Sequence, residues 1–222
     1  MEQEPEPIGA ADAEHAQRDA AERALRACAE AAERLREGGI APEALAEYVP
    51  PRRVLLWTRA ATMRPLGEAW RVGSLLLDAS GGLYALGRAT RAAERGRPGY
   101  QSLSREERRE IAAAALRGGY PAGTPVNYDA RPIPLDATAA GAAAGAASSA
   151  GAGPAAVGSS AATGSADGSG SQAHGDPELP VGYADGEFRV RWRPGAPLAG
   201  APTLADFLAE RVELLLHPPF AD

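Results

Sequence analysis

From Asp136 to Pro177 the chain runs for 42 residues that are mostly Ala, Gly and Ser, with no aromatic side chain and only three charges, Asp136, Asp167 and Asp176. Such a segment has too little apolar surface to offset the entropy lost on ordering it. Residues 136–177 are therefore expected to be a disordered insertion or linker, and packed structure has to come from the flanks. Composition carries the same message. Of 222 residues 51 are Ala, while Leu, Ile, Val and Phe together number only 36, below the roughly one fifth usual for a globular chain. Residues 178–222 are too few to fold alone without a disulfide or a metal. The expected organisation is a disordered N-terminus over 1–9 and one α+β domain made of 10–135 and 178–222, with 136–177 inserted in it. Its architecture is expected to be a small, mainly antiparallel sheet with flanking helices.

The basic residues narrow the chemistry. All 23 are Arg and none is Lys, which removes Schiff-base chemistry, the phosphate-binding Gly-Lys-Ser/Thr loop and Ser-x-x-Lys acylation. A single Cys28 excludes an internal disulfide and a Cys-x-x-Cys metal site. The acidic start Met1-Glu-Gln-Glu-Pro-Glu lacks the features of a signal peptide, and the uncharged part of 136–177 is too weakly apolar to insert as a membrane helix. These features lead us to expect a soluble cytoplasmic protein with no membrane partner.

Periodicity predicts a helix over about 10–36 with Leu25, Cys28, Ala32 and Leu35 on one face, stopped by Gly38-Gly39. A short helix is expected after Pro42, from Leu45 to Tyr48. Val54-Leu55-Leu56-Trp57 reads as a short apolar strand, and 69–78 as a central strand covered on both faces. Ser80-Gly81-Gly82 turns the chain into a partner strand over 83–92. Ser104 to Glu107 has the pattern of a capping box opening a helix that ends at Gly118-Gly119. An edge segment is expected over 125–134, given its prolines. In the C-terminal flank Phe188, Val190 and Trp192 alternate with charges as in a half-solvated strand, Asp185-Gly186 signals a type I′ turn, and Thr203 caps a helix ending at Pro218-Pro219.

Charge is segregated. Residues 1–50 carry 12 acids and 5 Arg, residues 51–135 carry 14 Arg and 7 acids, and residues 136–222 carry 10 acids and 4 Arg. The basic middle also holds Trp57, Trp70, Tyr84, Tyr100, Tyr120 and Tyr128. Arg beside an exposed aromatic ring can bind phosphate and stack on bases. The candidate anion site is the segment containing Arg88, Arg91, Arg95 and Arg97, read as a loop after a strand, with the acidic N-terminal helix as a competing intramolecular partner. The acidic balance of the whole chain, −6, argues against nucleic acid as the partner and leaves a small anion or another protein.

No nucleophile elbow, zinc motif or dinucleotide fingerprint is present, so no catalytic residue, metal ligand or cofactor is assigned. His15, His174 and His217 read as surface residues, and Cys28 as a packing residue in mid-helix. Asn127, Tyr128, Asp129 and Glu68 are polar groups that a pocket could use. The stretch Pro65-Leu-Gly-Glu-Ala-Trp-Arg-Val-Gly-Ser-Leu-Leu-Leu-Asp78, with Leu83 to Arg91, Arg117-Gly-Gly-Tyr120, Ala201 to Leu208 and Leu214 to Pro219, resembles a group of short uncharacterised actinobacterial proteins. Some of them carry the label glutaminase, and the resemblance therefore implies an amidohydrolase as one alternative. Ser-x-x-Lys cannot supply that activity in a lysine-free chain, and Cys28 lacks the Gly-flanked turn of an amidotransferase nucleophile. The residues themselves favour a non-catalytic binding or scaffold protein, with weak anion or nucleic-acid binding through the Arg-rich centre as a further alternative.

Overall fold

A computed structural model describes residues 10–54, 57–96, 102–135 and 178–219. Segments 1–9 and 136–177, read from sequence as disordered, lie outside the described residues, as do Arg97 and His174. The described residues form an α+β structure with three helices and mainly antiparallel strands. The chain divides into two compact units, each assembled from an N-terminal and a C-terminal piece: Met1–Leu25 with Pro134–Phe207, and Arg26–Ile133 with Leu208–Asp222.

The larger unit is built on a seven-stranded sheet. In chain order its strands are β1 (Glu43–Val49), β4 (Thr62–Val72), β5 (Leu75–Asp78), β6 (Leu83–Ala85), β7 (Arg88–Arg91), β8 (Pro125–Tyr128) and β9 (Arg131–Pro132). A separate two-stranded ribbon, β2 (Arg52–Val54) and β3 (Trp57–Arg59), lies between β1 and β4 in sequence. The sheet order is β7-β8-β1-β4-β5-β6-β9, with β1 and β8 parallel and every other pair antiparallel.

This order closes on itself. β6 and β7 stand far apart in it, yet only Leu86 and Gly87 separate them in the chain, and only Asp129 and Ala130 separate β8 from β9. Ala85 pairs with Arg131 and Arg88 with Tyr128, so the ladder keeps one register across both breaks. Residues 83–91 and 125–132 are thus two bent strands, and the sheet is a five-stranded barrel. A small barrel of this kind is filled by its own side chains and leaves no open sheet edge. Leu45, Ala69, Leu76, Tyr84 and Ala130 form the inner cluster. Outside, Ile111, Ala114 and Ala115 of α2 (Leu103–Arg117) pack on Ala46, Met63, Val126 and Tyr128.

Several sequence expectations are corrected. Leu45 to Tyr48 is strand, not helix: the segment lies between β4 and β8, and pairing on both sides overrides the helix preference of Glu-Ala-Leu-Ala-Glu. Residues 69–78 are two strands, because Gly73 (φ 61°) turns the chain back. β8 is an inner strand rather than an edge, paired with β1 on one side and β7 on the other, and its one proline, Pro125, stands at the first position, opposite Arg91. α2 starts at Leu103, and its N-cap, Ser102, makes no side-chain cap bond. The double-glycine stops are found where expected. After α1 (Ala10–Glu37) the amide of Ile40 donates to Leu35 O and that of Gly39 to Arg36 O. After α2 the amides of Tyr120 and Gly119 donate to Ala115 O and Leu116 O in the same way. Both are Schellman caps. On α1, Cys28, Ala32 and Leu35 are buried as expected, whereas Leu25 is 52% exposed.

In the smaller unit β10 (Val181–Ala184) and β11 (Glu187–Val190) form a hairpin whose turn residues, Asp185 (φ 52°) and Gly186 (φ 76°), have the positive φ pair of a type I′ turn. Two arginines of this hairpin hold the following loop. Arg191, only 7% exposed, donates to Ala196 O and Leu179 O, and Arg189 donates to Ala201 O. Thr203 caps α3 (Leu204–Leu216) by accepting the Asp206 amide while its hydroxyl donates to the Asp206 carboxylate. Trp192 does not continue the buried alternation of Phe188 and Val190; it is 74% exposed beside the Arg193 guanidinium.

Barrel closure makes Gly87 a sensitive position. A Cβ placed there would lie 2.3 Å from Tyr128 O and 2.4 Å from Asp129 O, so any side chain must push the two bent strands apart. Gly87→Ala is expected to cost about 2 kcal/mol, read as a lowered urea midpoint at unchanged slope.

Candidate functional site

Arg88 and Arg91 lie on strand β7 rather than in a loop, and Arg95 follows just after it. Their guanidinium groups are occupied, by α2 and the loop after it rather than by the N-terminal helix. Arg88 lies 3.6 Å from Glu107 and over the Tyr128 ring. Arg91 donates to Gly123 O. Arg95 donates twice to Glu106 and sits 3.4 Å from Glu110, whose other oxygen accepts from Arg117. The bond to Glu106 and these two carboxylates hold Arg95 more firmly protonated than usual. This part of the basic region is neutralised within the fold.

The remaining polar candidates separate into different settings. Asn127 shares the inner face of the barrel with Leu45, its partner in the ladder. It is 2% exposed, accepts from Arg71, and donates to Glu43 and to Ala44 O. Its amide is thus fully used in joining three strands. Tyr128 faces the outer core, Asp129 sits at the break between β8 and β9, and Glu68 is exposed on β4. Glu68 lines an open cleft of about 380 Å³ with Arg36, Ile40, Ala41, Pro42 and Trp70.

Asp78 has a structural task. Burial alone would raise its pKa, but the Ser80 hydroxyl, the amides of Gly82 and Ser80 and the Tyr84 hydroxyl all donate to it, and together they hold it below the ordinary carboxylate value. Cys28 is fully buried, and desolvation, assisted by the charge of Asp78, pushes its thiol up to about 12. A thiol in that state supplies no thiolate near neutral pH. His15 and His217 are exposed and lie 3.5 Å from Asp19 and Glu213. Among the described residues no group of His, Cys, Asp and Glu is placed to hold a metal ion, and no helix is long and apolar enough to cross a membrane.

Val54 to Trp57, read from sequence as one short apolar strand, is divided: Val54 ends β2 and Trp57 begins β3 of the ribbon. The described side chains of this ribbon, Arg52, Arg53, Trp57, Thr58 and Arg59, are exposed. Arg52 pairs with Arg59, Arg53 with Thr58 and Val54 with Trp57. Alternation along each strand puts Arg52, Arg59 and Trp57 on one face and Arg53 on the other. Trp57 is 78% exposed. Arg52, Arg53 and Arg59 have no hydrogen-bond or ion-pair partner among the described residues, in contrast to the arginines around α2. Two like charges directly opposite across a ladder are unfavourable, and an exposed indole buries nothing. Neither choice serves the fold.

Comparison with protein-family models, with curated proteins and with solved structures finds no match.

Two outcomes follow for the titrating groups. The contribution of Asp78 is present above the unfolded-state pKa near 3.9 and is lost as pH falls through the lower folded value. Asp78→Ala should cost about 1–2 kcal/mol at pH 7 and flatten the loss of stability below about pH 4, both measurable by denaturant titration across pH. Cys28 should resist iodoacetamide at pH 8 in the native protein and be alkylated in urea. Rapid native alkylation would contradict the burial described.

Proposed function

We propose that the protein is a non-catalytic binding protein that holds a single-stranded nucleic acid on the β2–β3 ribbon. One observation carries the reading: an indole 78% exposed shares a ribbon face with two cross-strand arginines that no described residue neutralises. Guanidinium groups engage phosphate with paired hydrogen bonds, and an open indole offers every base a stacking surface, which is the combination used for single strands without sequence preference. A bound phosphate would also relieve the repulsion between Arg52 and Arg59. Against the acidic balance of the whole chain stands the local one, since residues 49–66 hold four arginines and no acidic residue.

The test is fluorescence anisotropy of a labelled single-stranded oligonucleotide over a range of salt. Three phosphate contacts should give a slope of log affinity against log salt near −2. Arg59→Ala should reduce its magnitude by about 0.7. Trp57→Ala should weaken binding about tenfold, the loss of one stacked base, while leaving the salt slope unchanged. No ammonia should be released from glutamine by any form. Binding insensitive to these substitutions, or binding to anionic vesicles with none to the oligonucleotide, would contradict the proposal.

A further inference from the structure

The cleft beside Glu68 lies apart from the ribbon, within the larger unit, where the C-terminal end of α1 meets β4 and the turn after β5. Its volume of about 380 Å³ falls at the small end of the range typical of small-molecule sites. Ile40, Ala41, Pro42 and the Trp70 ring give it an apolar lining. The polar groups at its wall are unequal. The Trp70 indole N–H already donates to Ile40 O at 2.6 Å. Arg36 is paired with Glu33 and donates to Ala79 O, so its charge is offset and its geometry taken. Glu68 is exposed, faces Ala44 across the ladder, and has no hydrogen-bond or ion-pair partner among the described residues. Among the polar side chains of the wall it is the one left with capacity, and a carboxylate only accepts. The end of α1 adds to the same sign. The Schellman cap through Gly39 and Ile40 places the negative end of a 28-residue helix at the rim.

We propose that this cleft binds a small organic amine, a molecule with an apolar body that lies against Trp70 and Pro42 and a protonated nitrogen that donates to Glu68. An aromatic face beside the ammonium adds attraction of its own. A carboxylate of the same size would meet Glu68 and the helix end with the wrong sign.

The probes are phenethylamine and 3-phenylpropionate, comparable apolar bodies with opposite charge, titrated by calorimetry into the full-length protein and into Glu68→Gln. The exposed position of Glu68 makes that variant neutral for folding. The wild type should bind phenethylamine at millimolar concentration or below, at least tenfold more tightly than Glu68→Gln, which is the loss of one charge-assisted hydrogen bond, and more tightly than 3-phenylpropionate. In a nitrogen-15 spectrum the indole resonance of Trp70 should move, while those of Trp57 and Trp192 stay in place. Ala41→Phe, which fills the cleft from its rim, should abolish the response. No binding of phenethylamine, equal affinity in Glu68→Gln, a preference for 3-phenylpropionate, or a shift at Trp57 or Trp192 in place of Trp70 would overturn the assignment.

Discussion

The pairing of residues 83–91 with 125–132 is the constraint on which the larger unit depends. Those two bent strands turn an open sheet into a barrel, and the junction works because Gly87 lets the backbone carbonyls of Tyr128 and Asp129 approach. Closure is what allows a chain so poor in large apolar residues to build a core. A five-stranded barrel needs few residues inside, and Leu45, Ala69 and Leu76, with Tyr84 and Ala130, form that cluster. Alanine, abundant in this sequence, then serves the outer face, where Ala114 and Ala115 let α2 sit close on β1, β4 and β8. Asn127 is held from two sides on the inner face, by Arg71 and Glu43, and secures the one parallel contact of the barrel.

Much of the local structure was legible from residue pattern. The double-glycine stops, the Asp185-Gly186 turn and the Thr203 cap depend on short-range hydrogen bonds and backbone geometry, so a few residues suffice to announce them. What escaped was long-range. Glu43 to Val49 has the composition of a helix, and only its two ladder partners make it a strand. Nothing local reveals that 83–91 and 125–132 bend and pair, because that closure is decided by residues some 40 positions apart in the chain. The ribbon escaped for a related reason: Val54 to Trp57 reads as one strand, and only the pairing of Val54 with Trp57 divides it between β2 and β3. The prolines and arginines on either side, Pro50-Pro51-Arg52-Arg53 and Arg59, were the available signal that Trp57 is exposed.

The arginines illustrate why composition alone points imperfectly to a site. Arg88, Arg91 and Arg95 lie in the densest basic segment, yet Glu106, Glu107, Glu110 and the Gly123 carbonyl use them to fasten α2 and its following loop to β7. Arg189 and Arg191 likewise hold a loop through carbonyl oxygens. In a lysine-free chain, Arg has to supply both structural clamps and any free positive charge, and the two uses are told apart by partners rather than by position in the sequence. Arg52, Arg53 and Arg59 are three exposed arginines without an acceptor among the described residues, beside one open indole, whereas the exposed Trp192 has the single Arg193 over its ring.

The central claim is that binding belongs to the ribbon and not to the basic segment beside α2. Photo-crosslinking of a 4-thiouridine-substituted single-stranded RNA, followed by peptide mapping, tests it most directly. The account predicts adducts on the peptide that contains Trp57, between Arg53 and Arg59, and their loss at high salt. Adducts confined to peptides spanning Arg88 to Arg95, or no adduct at low salt, would contradict it.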